Sequence, residues 1–548
     1  MRPVIFISRS FTAAALIVGH RGDMASTDPT PPALREVGPG GTTVPLSDLV
    51  STCIDACWRG CGVIRKVHDK RLVNKETAAT GAVAVGGAGT AVDNGAIGVS
   101  LKVDGDPRSA LTEADGASQE VILECLRGRW GDGLNIIGEE DQPQPRPSSS
   151  DPTRGSVVFA SDVNDSSTAH DDAPKGGGSE SEHGVPKTDS NGYGDIFARY
   201  GVPSLEEEAL REDLVDVADA DVEASDSSKR RKLDSPRSGG GPLLSLSELC
   251  IYVDPMDGTR EFVEGRLGNV QCLIGIVYRG LPVAGVVGIP FAAGGREKSE
   301  DEGGAGGGKE SVEGGVDVIY GIAFTPSNGE ESSSVSALGR KSRSQDGRTW
   351  SSRPFFPPAA PVADSEGLNG RSSGVGSSEG GITLTVLYGD SKKPDLLAAM
   401  AHLRAIVAED DPSNVVEEVI AGGCGNKFLR VALSASPYHR PGGCENALAV
   451  VPRGTCSWDT AAPGAVLCAV LERRAMGGGG GASASTSRAG RVTDFFGERL
   501  TYDGTATNVQ NSRGALASCG NKASKFHDEL CRRLREHKDA IYEKAAAE

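Results

Sequence analysis

Residues 252–265 read YVDPMDGTREFVEG. The apolar run 250–253 predicts a short strand that ends on an acid, Asp254. Asp257 follows three residues later across Pro255, and a tight turn lets both carboxylates face one point. The backbone carbonyl of Pro255 or Met256 between them adds a neutral oxygen. Gly258-Thr259 then opens a helix through Arg260, Glu261 and Phe262. The unpaired N–H groups at a helix start hold anions, so a metal site and a phosphate cradle are adjacent in sequence. Taken alone, such a cluster more often marks a solvated loop. Its meaning depends on what else the chain carries.

Two more acid clusters lie outward from it. Gly138-Glu139-Glu140-Asp141 follows the apolar residues 135–137, and Trp458-Asp459-Thr460 precedes an apolar helical stretch. Oxygen-only ligands favour Mg²⁺ over zinc. The pattern between the clusters is mixed. Residues 47–67, 119–129, 393–407, 426–434 and 460–471 have helical spacing, and 524–547 forms a charged terminal helix. Residues 270–278 and 282–289 are β-branched runs joined at 279–281 as a hairpin, and 382–388 is a further strand. Helices and strands alternate without strict βαβ repetition, which predicts stacked α and β layers.

The chain is 548 residues long, with 74 Gly and 30 Pro, 38% hydrophobic and 5% aromatic residues. That is Gly- and Pro-rich for a chain packed throughout. Five tracts read as flexible low-complexity insertions: about 142–192, 223–244, 293–316, 326–380 and 474–490. Residues 1–45 read as a leader or targeting segment, and 46–548 as one catalytic unit with an N-terminal part (about 46–291) and a C-terminal part (about 382–548). Setting leader and insertions aside leaves about 330 residues, enough for one layered α/β core.

The net charge of −18 disfavours nucleic-acid polymers and anionic membranes as partners. It leaves room for a small anionic substrate held through metal ions. Twelve cysteines without a C-x-x-C pair do not read as a disulfide framework, which points to a reducing compartment. Cys53, Cys57 and Cys61 form one helical stripe, read as apolar packing of free thiols. No run of about 18 apolar residues predicts a membrane span. The expected location is cytoplasmic. Residues 1–22 keep a mitochondrial or plastid transit peptide open, with Met24 as an alternative start.

The three acid clusters together resemble the signatures of the inositol monophosphatase superfamily, in order. The match is closer to its 3′(2′),5′-bisphosphate nucleotidases: IIGEED at 136–141, YVDPMDGTREFVEG at 252–265, NVQCLIGIVYRGLPVAGVVGIPF at 269–291, GGCGNK at 422–427 and WDTAAP at 458–463. The resemblance covers most of the chain from about 47 to 545 outside the low-complexity tracts. It implies a layered αβαβα sandwich and a monomeric, Li⁺-sensitive phosphomonoesterase using two or three Mg²⁺ ions.

Carried over by motif, Glu139, Asp254, Asp257, Asp459 and the Met256 carbonyl would ligate the ions. Asp115, in Thr112-Glu-Ala-Asp115, would act with Thr259 to orient and deprotonate the attacking water. Gly258 and Thr259 would hold the phosphoryl group, and Gly423 and Lys427 would contact the nucleotide. The implied reaction converts adenosine 3′,5′-bisphosphate to AMP and phosphate. The chain departs from the subfamily where a Thr-Arg-Ser-His-like segment is usual: Thr385-Val-Leu-Tyr388-Gly-Asp390 has no His. That keeps an inositol phosphate substrate open. A non-catalytic scaffold with long binding tails is the reading from another class.

Overall fold

The computed structural model describes residues 35–36, 42–79, 100–101, 110–140, 197, 199–200, 215, 242–292, 315–325, 335–343, 350–353, 355, 381–434, 446–477 and 490–539. Two sheets form its frame. The larger has seven strands: β1 (Asn135–Gly138), β2 (Leu249–Asp257), β3 (Gln271–Tyr278), β4 (Leu281–Ile289), β5 (Asp317–Phe324), β6 (Val335–Arg343) and β7 (Trp350–Arg353), lying side by side in chain order. Only β1 and β2 pair in parallel; the rest run antiparallel. The smaller sheet has β8 (Thr383–Tyr388), β9 (Val415–Ile420), β10 (Asn446–Val451), β11 (Gly490–Thr493) and β12 (Ala515–Cys519), in the order β9-β8-β10-β12-β11.

Helices cover both faces of each sheet. α1 (Leu46–Ala79) and α2 (Glu113–Trp130) pack on one face of the seven-stranded sheet. The one-turn helix α3 (Thr259–Val263) follows β2. α4 (Pro394–Asp410) and α7 (Asn521–Glu536) cover the outer face of the five-stranded sheet. Between the sheets lie α5 (Cys424–Ser434) and α6 (Ser457–Gly477). The result is five layers, α-β-α-β-α, as the resemblance implied. β2 and β3 are buried at every position, because helices sit on both sides of them. Three apolar cores follow: one under α1 and α2, one between the sheets, one under α4 and α7.

Helix α6 lies unusually close to its sheet. A Cβ on Gly275 would come within 2.5 Å of the Ala461 Cβ, one on Gly285 within 2.0 Å of the Ala462 carbonyl, and one on Gly321 within 2.8 Å of the Val466 Cα. Three neighbouring strands thus present a glycine track, and small residues of α6 settle into it.

Several boundaries differ from the sequence reading. β6 and β7 fall inside 326–380, which was expected to be an insertion. Their Ser, Gly and Arg content hides the strand signal, since the edge strand β7 and its neighbour β6 are held by polar pairs. Arg340 bonds Asp317, and Lys341 bonds Ser352 at 2.9 Å. Arg343 reaches Asp55 on α1 at 3.1 Å and lies between the rings of Trp58 and Trp350, 4.4 and 5.2 Å from their centroids. The expected leader includes two short strands, Arg35–Glu36 and Thr42–Pro45, and the second pairs with Leu243–Ser245 at the end of the 223–244 tract. α6 runs past 474, and β11 begins at 490. α2 starts earlier than 119, α1 extends past 67, and α7 ends at Glu536. Tract 142–192 lies outside the described residues, as do residues 1–22. No helix among the described residues is long and apolar enough to cross a membrane.

Candidate active site

The centre of the site is the end of β2. Its pairing with β3 slips between Asp254 and Asp257, and the Met256 N–H bonds the Asp254 Oδ1 at 3.0 Å. The bulge turns both carboxylates to one side. Asp459, in the first turn of α6, joins them: Asp254, Asp257 and Asp459 each place one oxygen within 4.8 Å of the others. The seating of α6 on its glycine track is what brings Asp459 to β2. The Cys456 N–H then holds its Oδ2.

Glu139 arrives from β1. Its N–H bonds the Val253 carbonyl at 3.0 Å, one step beyond the parallel ladder, so it stands beside Asp254 in the strand order. Its charge acts on Asp115, Asp257 and Asp459, which places it at the rim of the same cluster.

Asp115 and Thr259 meet. Thr112 caps α2 in a capping box: its N–H and hydroxyl both reach the Asp115 Oδ2 at 2.7 Å. That leaves Oδ1 facing out of the helix, where it accepts the Thr259 hydroxyl at 2.8 Å. The Met256 carbonyl lies 3.2 Å from the same hydroxyl. Asp115 is fully buried, and burial pushes its carboxyl up to about 6 against the pull of the Thr112 and Thr259 bonds. Gly258, with φ 91°, makes the turn into α3; a Cβ there would also come within 3.1 Å of the Asn269 carbonyl.

Asp257 is bound at the start of α5. The N–H groups of Cys424 and Gly425 bond its two oxygens at 2.9 and 2.8 Å. Gly423, with φ 72°, makes this approach possible, since a Cβ there would come within 2.8 Å of the Asp257 Oδ2. Lys427 is buried, its ammonium bonds the Gly423 carbonyl at 2.6 Å, and its charge favours the ionised form of Asp257. Burial nevertheless raises the Asp257 carboxyl above the usual range. Burial also raises Asp459, and the charges of Asp257 and Glu139 push it further. Such a cluster calls for a cation, and its all-oxygen donor set fits a hard divalent ion such as Mg²⁺.

All the predicted site residues therefore gather at one end of β2. Gly423 and Lys427 do so through Asp257 and α5. The segment Tyr388–Asp390 also reaches the rim: Asp390 bonds Arg260 of α3 at 2.6 Å, and a Cβ on Gly389 would lie 3.9 Å from the Lys427 Nζ. The Tyr388 hydroxyl turns away to Glu418 at 2.9 Å. Sequence reasoning missed Gln119, whose Oε1 accepts the Glu140 N–H at 3.0 Å, and Glu261, buried and bonded to Arg266 and Asn269 beside Gly422. Both are single polar residues inside helices, with no spacing signal to mark them. Trp458 packs in the core between the sheets.

Residues 200–346 match the inositol monophosphatase family. The matched residues include Asp254, Asp257 and Thr259, whereas Asp115, Glu139 and Asp459 lie outside them. The chain is 26% identical over 277 residues to the rat protein "3′(2′),5′-bisphosphate nucleotidase 1", which spans 50% of this chain and 58% of the rat protein. It is 52% identical over 44 residues to the human protein of that name, covering 8% of this chain and 14% of that protein. The chain thus matches little more than half of the rat relative's length. Among solved structures, the extragenic suppressor protein suhB of Bartonella henselae aligns with a TM-score of 0.37 at 10% identity, over 88% of this chain and 98% of that one.

Proposed function

We propose that the protein is a Mg²⁺-dependent phosphomonoesterase of the 3′(2′),5′-bisphosphate nucleotidase type, releasing phosphate from adenosine 3′,5′-bisphosphate to give AMP. The observation that carries the chemistry is the bonded pair Asp115–Thr259 beside three converging carboxylates. The similarity to the rat and human nucleotidases supports the substrate.

Glu139, Asp254, Asp257, Asp459 and the Met256 carbonyl would hold the ions. When bound, these supply Lewis acidity at the phosphoryl group and neutralise its charge. The chain's own groups do the rest. Asp115 fixes the Thr259 hydroxyl through its Oδ1 and is itself fixed by Thr112. With its carboxyl raised to about 6, Asp115 is ionised at neutral pH yet basic enough to take a proton from the attacking water by way of Thr259. Burial raises the Asp257 carboxyl, and the charge of Lys427 opposes that rise, favouring the ionised form.

The test is phosphate release with Mg²⁺ from adenosine 3′,5′-bisphosphate and inositol 1,4-bisphosphate in parallel. Preference for the nucleotide supports the proposal. Preference for the inositol ester keeps the chemistry and overturns the substrate. Release from neither, with no Mg²⁺ bound in calorimetry, leaves the scaffold reading. Asp254→Asn abolishes release on this reading, and retained turnover would sink it.

A further inference from the structure

Cys57 and Cys61 stand one turn apart on α1, and Cys272 faces them from β3. Their sulfur atoms lie within 4.8 Å of one another, and all three residues are fully buried. The Cys57 thiol donates to the Cys272 carbonyl at 3.5 Å. The neighbouring strand β4 contributes Gly288, paired with Cys272. A Cβ on Gly288 would come within 2.4 Å of the Cys61 sulfur and 2.7 Å of the Cys57 sulfur. The missing side chain is what leaves room for the sulfurs to meet. Apolar packing alone would fill that space as well with one larger side chain.

Three sulfurs around a central ion, each about 2.3 Å from it, stand about 4 Å apart. The observed separation admits that arrangement. We propose that Cys57, Cys61 and Cys272 form a three-sulfur site for a soft monovalent metal ion, copper(I) in type. Zinc asks for four ligands, and among the described residues the group comprises the three sulfurs alone. Copper(I) takes thiolates in preference to harder donors. Each thiolate formed on loading releases one proton to solvent, no electron moves, and the copper stays monovalent. Burial pushes the Cys57 and Cys61 thiols well up, and Arg65, one turn beyond Cys61 on α1, offsets part of that at Cys61. The three sulfurs form a group separate from that of Asp254, Asp257 and Asp459.

The test uses the full chain kept reduced, titrated against the copper(I) complex of bicinchoninate. The expected result is withdrawal of a single equivalent with an ultraviolet sulfur-to-copper charge-transfer band. Cys57→Ala and Cys272→Ala each lose that equivalent. Cys53→Ala, one turn back on the same helical stripe, keeps it. No withdrawal, or a tight equivalent that survives both ligand variants, overturns the site. X-ray absorption on the loaded wild-type chain decides independently of any variant's folding: a shell of sulfur alone supports the site, and nitrogen or oxygen in the shell overturns it. None of these readouts depends on phosphatase activity.

Discussion

The Asp115 carboxylate spends one oxygen on capping its own helix and the other on the Thr259 hydroxyl. Replacing it with Asn keeps the size and removes the base. Asp115→Asn should lower kcat by about 10²–10⁴-fold with KM little changed, read by phosphate release. In the wild type, the acid limb of the rate profile should fall off below about pH 6, where Asp115 takes up its proton. The raised carboxyl also has a stability consequence. Its proton affinity is higher in the folded than in the unfolded chain, so the charge opposes folding above about pH 6 and is relieved as pH falls through that value.

Asp257 and Asp459 should respond to Asn substitution with opposite signs in chelator-treated protein at pH 8. Asp459→Asn removes a half-buried, desolvated charge that faces Asp257 and Glu139, and should raise the melting temperature. Asp257→Asn leaves one N–H of Cys424 or Gly425 facing an amide NH₂ and should cost about 1–3 kcal/mol. Thermal melts of both variants check the pair; the same sign for both would contradict the assigned roles.

Among the elements, α6 does most to assemble the site. It brings Asp459 to β2 only because Gly275, Gly285 and Gly321 let it sink onto the sheet. Gly285→Ala places a methyl against the Ala462 carbonyl and should cost about 1–3 kcal/mol. It should also weaken Mg²⁺ binding in calorimetry, by tilting Asp459 away. A variant as stable and as tightly binding as the wild type would show that the track has no such role. This contact was only half legible. Glycines in the runs 270–278 and 282–289 and the alanines of WDTAAP were visible, but nothing in the sequence said they would touch. The strand-to-acid-to-helix pattern of 252–265 was legible because its period changes within a few residues. β6 and β7 were not, since Arg340, Lys341 and Arg343 hold them by charge and stacking rather than by an alternating apolar face.

For the whole molecule, the layer order followed from the acid clusters and the resemblance they carry, while the limits of the inserted tracts did not, because a polar edge strand and a polar linker share a composition. The described parts of the site come from outside tract 142–192. Deleting that tract should leave kcat within about twofold, since lengthening or shortening a connection changes closure entropy by only about 0.6 kcal/mol per doubling. A collapse of kcat would show that the tract helps build the site. The pairing of Arg343 with Trp58 and Trp350 ties the β7 edge of the large sheet to α1.

The seating of α6 also sets an order of events during synthesis. Asp115, Glu139, Asp254 and Asp257 all leave the ribosome before residue 457, and the seven strands of the large sheet can pair by then. Until α6 emerges, the face that carries the glycine track lies uncovered, with apolar β3, β4 and β5 side chains turned toward water. The last carboxylate and the cover of that face arrive on one helix. A nascent chain stalled before it would be both without its metal centre and sticky, so completion of the site and protection from aggregation become a single late step in the life of each molecule.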